Sequence, residues 1–218
     1  MSERREKPYT HAILAGARLL YRLLFRWTVT GAENVPREGA LLVVANHVNA
    51  ADPILLMLAV PRWITYMAKE ELFDDPLLRR VLTDAGIFPV ARGGNVQQRM
   101  EVMRQAEGLL AAGHALAIFP EGTRSHSGVL QEGKGGAALL AVHAGVPILP
   151  VATAGIEQMR GTGWLFRRPR VTVTIGEPFH LQSSSARLSR SEMGRLTDEI
   201  MRRIAALLPE DRRGPYAG

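Results

Sequence analysis

Asn46-His47-Val48-Asn49-Ala50-Ala51-Asp52 places a histidine and an aspartate five positions apart, directly after the apolar run 40–45. A histidine can take a proton from a hydroxyl, and a carboxylate beside it fixes the tautomer and supports the imidazolium that forms. Further along, Phe119-Pro120-Glu121-Gly122-Thr123-Arg124-Ser125 follows a second apolar run. A loop at a strand end that carries Gly122 and Thr123 can aim backbone N–H groups at an anion. Arg124 adds a planar fork of donors matched to phosphate oxygens. Together the two segments point to chemistry on a hydroxyl whose molecule carries a phosphate.

The first pair must be brought together by a turn. On a regular helix, residues five apart point about 140° from each other, so His47 and Asp52 cannot meet on one helix. Pro53 resolves this, because a residue before proline avoids the helical region and proline suits the first helical position. Asp52 is therefore expected as the N-cap of a helix starting at Pro53, with His47 on the turn just past a strand. One ring nitrogen then meets Asp52, and the other faces the cleft at the carboxyl ends of the strands. Plainer readings stand beside this one. Asp before Pro is often only a cap, and a histidine after a strand is often structural. Asn46, Asn49 and Asp52 together also suit a hydrogen-bonded turn. In the second segment Glu121 could orient Arg124 or bind a substrate hydroxyl, or the pair could simply close the turn as an ion pair.

Two other patterns carry less. Gly128 to Gly133-Lys134 fits the spacing G-x-x-x-x-G-K, but Gly135 follows where a hydroxyl should ligate magnesium, and no strand precedes. Nucleotide hydrolysis is not expected. His11, His47, His114, His126, His143 and His180 show no ligand spacing, so no metal is implied.

Apolar runs at 40–45, 63–68, 87–90, 115–119 and 147–153 predict strands, and 170–176 alternates at period two as a late strand. Helical stretches lie near 53–60, 76–84, 96–112, 134–144 and 192–208. This alternation implies an α/β single-domain sandwich, with a mixed, largely parallel central sheet flanked by helices. An N-terminal helix over 11–27 precedes it. There Arg18, Arg22 and Arg26 recur as a basic stripe, Ile13, Ala17, Leu20, Tyr21 and Leu24 form an apolar face, and Trp27 closes the end. That is a membrane-surface pattern, although an ordinary helix packed on the core would look similar. The expected organisation is a membrane-associating helix at 1–29, one domain at 30–208 and a loose tail at 209–218.

Composition sets the outer limits. The 218 residues suit one domain with a real core, and 46% hydrophobic against 22% charged residues excludes a disordered chain. With no cysteine, disulfides and thiolate metal sites are excluded. The net charge of +6 favours polyanions: nucleic acid, anionic lipid or phosphorylated substrates. Met1 to Pro8 is mixed in charge and does not read as a secretory signal. The uncharged run from Gly135 to Ile156 is long enough to span a bilayer, but Gly145, Pro147 and Pro150 break it, so it reads as helix, turn and buried strand.

The motifs, taken in order, resemble those of the glycerolipid acyltransferases, in particular the 1-acylglycerol-3-phosphate O-acyltransferases and their lysophospholipid relatives. N-H-x4-D is Asn46, His47 and Asp52. G-x-x-[FP]-[IV]-x-R is similar to Gly86, Pro89, Val90 and Arg92. F-P-E-G-T-R-S is intact from Phe119 to Ser125, and V-P-I-[LV]-P-V runs from Val146 to Val151. Lys69 before Glu70 and Lys134 before Gly135 also resemble family positions. The resemblance covers residues 30 to about 180. Many members carry hydrophobic N-terminal spans that this chain lacks.

The resemblance implies transfer of a fatty acyl group from acyl-CoA or acyl-ACP to the sn-2 hydroxyl of lysophosphatidate, giving phosphatidate. The acyl donor is a substrate, and no cofactor is implied. His47 and Asp52 would be the catalytic pair. Glu121, Gly122, Thr123 and Arg124, with Arg92 and Lys69, would hold the glycerol phosphate. The chain is expected at an anionic membrane surface, peripheral or monotopic on the cytoplasmic face, with no nucleic acid partner. The alternatives are another lysolipid or aminolipid acceptor, or a non-catalytic lipid-binding module; the intact pair argues against the last.

Overall fold

The run Leu41–Ala45 forms strand β2, in which every residue is buried. Its side chains alternate between two apolar layers, Leu42 and Val44 on one face and Leu41, Val43 and Ala45 on the other. A strand that is apolar on both faces belongs at the centre of a sheet covered on both sides. The computed structural model describes residues 8–84, 86–90, 95–159, 168–183 and 188–218.

Seven strands form that sheet: β1 (Arg26–Thr30), β2, β3 (Thr65–Lys69), β4 (Ile87–Val90), β5 (Ala115–Ile118), β6 (Ile148–Ala154) and β7 (Arg170–Ile175). Their spatial order is β1-β7-β6-β2-β5-β3-β4. Strands β6, β2, β5, β3 and β4 run parallel, while β7 is antiparallel to β6 and parallel to β1. The helices are α1 (Pro8–Leu24), α2 (Asp52–Ala59), α3 (Pro76–Asp84), α4 (Val96–Ala111), α5 (Gly136–Ala144) and α6 (Arg190–Leu207). Residues of α4, α5 and α6 pack on one face of the sheet, including Leu110, Leu140, Ile200 and Ile204. On the other face α2 packs through Leu56 and Ala59. This is the mixed, largely parallel α/β sandwich that the alternation of runs predicts.

Three expectations need correction. The first helix does not reach residue 27. It ends at Leu24, and Arg26-Trp27-Thr28-Val29-Thr30 forms edge strand β1 against β7. The segment alternates exposed and half-buried positions and is rich in β-branched residues, which suits a pleated edge. Arg26 therefore leaves the basic stripe. The helix stripe divides too: Tyr21 and Leu24 pack toward Phe25, Leu55, Ile156 and Val171, whereas Leu20 points outward with Leu19 and Leu23. Lastly, the tail expected to be loose is folded. Glu210–Arg212 and Gly214–Tyr216 form short 3-10 turns, and buried Tyr216 accepts the Gly133 N–H at its hydroxyl, 3.2 Å away.

Candidate active site

Oδ2 of Asp52 gathers the loop between β2 and α2. It accepts from Nδ1 of His47 at 2.9 Å, from the Val48 N–H at 2.7 Å and from the Asn49 N–H at 2.8 Å. Asp52 is not the helix N-cap. Ala51 holds that position, and the Asp52 carboxylate turns back onto the preceding loop instead of onto the helix N–H groups. The cause is a tight turn: Asn49 accepts the Ala51 N–H with its side chain and the Asp52 N–H with its backbone carbonyl. Residue 52 has thus already entered the helix when it meets His47. A neutral imidazole facing a carboxylate through Nδ1 carries its proton there, which leaves the Nε2 lone pair as the base. The His47 ring stacks on Phe119, with centroids 4.2 Å apart and planes 20° from parallel, and its side chain is 16% exposed. From α1, Tyr21 packs in the same apolar group as Val48, Ala51 and Leu55, so α1 roofs this loop.

A second carboxylate brackets the histidine from behind. The parallel register aligns Val44 of β2 with Ile118 of β5, so His47 and Glu121 both lie three residues beyond the last aligned pair. Oε1 of Glu121 accepts the His47 N–H at 2.6 Å. Oε2 accepts the Gln131 N–H at 3.0 Å and its side-chain amide at 3.3 Å. The Ser125 N–H donates to the His47 carbonyl at 2.7 Å, so the Phe119–Ser125 segment clasps His47 on both sides of its backbone. Glu121 is 2% exposed and accepts three hydrogen bonds from the protein. Both of its oxygens are thus engaged by the protein, an arrangement that holds the site's frame; no ion pair joins it to Arg124 among the described residues. Burial pushes its carboxyl above the usual range, and the bonds from His47 and Gln131 and the charge of His47 pull it partly back. Asn46 pins the end of β2 to β6: its side chain donates to the Thr153 carbonyl at 2.9 Å and accepts the Thr153 N–H at 2.8 Å. Sequence reasoning saw Asn46 only as part of a motif or a turn; a buried amide directly after an apolar strand was the available signal.

Cations lie on the open side. Gly122, Thr123 and Arg124 are exposed, and Gly122 adopts φ 69° as the turn folds its N–H onto the Phe119 carbonyl. Arg124 and His126 line a small cleft of about 180 Å³ with Val48, Asn49, Ala50 and Glu157. The arginine therefore faces the loop that separates His47 from Asp52. Glu157 is occupied elsewhere, by Arg212 at 3.1 Å and the Gly155 N–H at 2.8 Å. Lys134 lies across Gly122; a Cβ there would come within 2.9 Å of its Nζ. Lys69 ends β3, exposed, on the same carboxyl edge of the sheet but two strands from β2. Arg92 lies outside the described residues. The stretch Val146 to Val151 supplies most of β6 and supports the site from the next strand.

The family profile named Acyltransferase matches residues 26–154, well over half of the chain. The chain belongs to the acyltransferase family. The match begins at β1. This acyltransferase is 29% identical over 180 residues to the 1-acyl-sn-glycerol-3-phosphate acyltransferase of Bacillus subtilis, covering 82% of this chain and 86% of that one. A probable 1-acyl-sn-glycerol-3-phosphate acyltransferase of Mycoplasma pneumoniae is 36% identical over 132 residues, 58% of this chain and 48% of that one. The chain thus spans about half the length of the Mycoplasma relative. Among solved structures, the 1-acyl-sn-glycerophosphate (LPA) acyltransferase PlsC from Thermotoga maritima superposes with a TM-score of 0.68 at 26% identity, covering 91% of this chain and 80% of that one. Among the described residues of this acyltransferase, no helix is long and apolar enough to cross a membrane.

Proposed function

We propose that the chain transfers a fatty acyl group from an acyl-CoA or acyl-ACP thioester to the sn-2 hydroxyl of 1-acylglycerol-3-phosphate, giving phosphatidate. The observation that carries this reading is the His47–Asp52 pair at 2.9 Å with Arg124 lining the cleft beside its loop. A base poised for a hydroxyl and a cation poised for a phosphate sit on one rim. The names of the Bacillus and Thermotoga relatives support the acceptor.

The steps follow from the geometry. Nε2 of His47 takes the proton of the acceptor hydroxyl as its oxygen attacks the thioester carbonyl. Asp52 supports the resulting imidazolium through Nδ1. The tetrahedral intermediate then collapses, the C–S bond breaks, and the imidazolium returns its proton to the leaving thiolate. The products are an ester and a free thiol, and no covalent acyl-enzyme is needed. Gly122, Thr123, Arg124, Lys69 and Arg92 serve the phosphate, with Lys134 as a further cation over Gly122. The lipid substrates place the reaction at an anionic bilayer surface, on its cytoplasmic face, and the outward Leu19, Leu20 and Leu23 of α1 supply an apolar contact for peripheral or monotopic attachment.

The deciding experiment adds lysophosphatidate and acyl-CoA to the full chain and follows free thiol release with phosphatidate formation. Thiol release that is independent of lysophosphatidate, or absent, would refute the reading. A panel of other lysolipids in the same assay tests the acceptor.

A further inference from the structure

Two buried polar atoms have no hydrogen-bond partner among the described residues: Oδ1 of Asp52, in the catalytic pair, and the hydroxyl of Tyr66, so the two do not bond each other directly. Asp52 is fully buried and Tyr66 nearly so. They share one side of the sheet. Tyr66 on β3 pairs with Ala117 of β5, and its side chain belongs to the apolar layer that includes Leu56, one helical turn beyond Asp52. The Tyr66 hydroxyl is pushed up first by burial and second by the charge of Asp52. A buried carboxylate oxygen without a donor and a buried hydroxyl without an acceptor each carry a desolvation cost, and pairing them removes both.

The bonds to Asp52 make the pairing consequential. All three of its described partners meet Oδ2. They leave Oδ1 unanchored, so nothing on that side restrains rotation of the carboxylate about its last bond. We propose that Tyr66 is a positioning residue: its hydroxyl donates through one buried water to Oδ1 of Asp52 and holds the carboxylate in the plane that presents Oδ2 to His47. A single well-coordinated water is an ordinary internal bridge between such groups. Tyr66 touches no reacting atom and acts only through Asp52. This inference rests on the acyl-transfer reading for its kinetic consequence, but not for the contact itself.

The test compares Tyr66→Phe with the parent, both as the full chain, using acyl-CoA and lysophosphatidate, alongside a high-resolution crystal structure of the parent. A lost hydrogen bond of ordinary strength predicts a kcat lower by about 3- to 10-fold. The KM for both substrates should stay unchanged, and the thermal midpoint should fall slightly, because buried Oδ1 loses its bridged donor. The crystal structure should show a water in hydrogen-bond contact with both the Tyr66 oxygen and Oδ1. Parental kcat in Tyr66→Phe overturns the proposal. So does a loss of kcat that comes with a raised KM for either substrate, which marks a general distortion of the site. So does density showing no bridged contact. A parent that fails to acylate lysophosphatidate refutes the assigned reaction instead, and the crystal contact alone then decides whether the two groups pair.

Discussion

The backbone N–H of His47 donates to Oε1 of Glu121 at 2.6 Å, joining the ends of two neighbouring strands across 74 residues of sequence. The bond explains why a carboxylate stands within a loop that otherwise suits anions. Its oxygens face inward, to His47 and Gln131, while Gly122, Thr123 and Arg124 face out.

Glu121→Ala would leave the N–H groups of His47 and Gln131 without an acceptor. Each such loss in a buried place costs about 1–3 kcal/mol. Stability and kcat should therefore fall together, in contrast to a variant at the catalytic pair. Denaturant unfolding with parallel kinetics checks this; a fully stable but inactive variant would show that Glu121 contacts substrate after all.

The same carboxyl gives a pH dependence. Its folded pKa is raised above the ordinary 4.5. A raised value means the folded state holds the proton more tightly. That contribution to stability is fully present below the ordinary value and is lost as pH rises through the folded one. Glu121→Gln cannot ionise, so the parent's stability advantage over it should shrink as pH rises from about 4 toward 7. Unfolding free energies at a series of pH values measure the gap, and a gap that widens with pH contradicts the shift.

His47→Ala should lower kcat by about 10² to 10⁴, the range for a lost general base. The side chain sits on a loop and donates only to Asp52, so the melting temperature should change little. Near-normal turnover in a well-folded variant would end the proposed mechanism.

Arg124→Ala should raise the KM for lysophosphatidate by roughly tenfold, the low end for a charge-assisted hydrogen bond, since the side chain is exposed. The KM for the acyl thioester should move less. An equal loss with a phosphate-free acceptor would show that Arg124 grips something other than the phosphate.

Much of this site is legible in the sequence. Apolar runs ending at Ala45 and Ile118, each followed by a motif, place both loops on one edge of a parallel sheet; the turn that brings Asp52 to His47 is expected from Pro53 but is made by Asn49, with Asp52 already helical. What was hidden depended on register or on one side chain. The Glu121–His47 bond needs β2 and β5 to be aligned, which strand patterns alone do not state. Strand β1 has only five residues, and its alternation was masked by arginines that continue the helical spacing of Arg18 and Arg22. The tail from Pro209 reads as loose because it is short and polar, yet Tyr216 anchors it under Gly133.

The arrangement of α1 changes how membrane attachment should be tested. Arg26 lies on β1, and Arg18 donates to the Leu58 carbonyl at 3.1 Å, which leaves Arg22 as the stripe arginine exposed on α1 without such a bond among the described residues. Leu19, Leu20 and Leu23 are 61%, 53% and 62% exposed on the outer side of the helix. Burying a leucine fully is worth about 1.5–3 kcal/mol, so three half-exposed ones entering a bilayer should contribute roughly 3 kcal/mol. Arg22 near an anionic surface should add about 1 kcal/mol, weakened by salt. Leu19→Ser, Leu20→Ser and Leu23→Ser combined should therefore weaken vesicle binding by about 100-fold, while Arg22→Glu should cost about fivefold and only at low salt. Activity on vesicle-borne lysolipid should fall with binding, and activity on a short-chain soluble acceptor should persist because Tyr21 still packs in the same apolar group as Val48 and Ala51. Co-sedimentation with anionic and neutral vesicles separates the two contributions. If the triple serine variant sediments as well as the parent, the bilayer meets the protein through another surface, and α1 serves only to roof the His47–Asp52 loop.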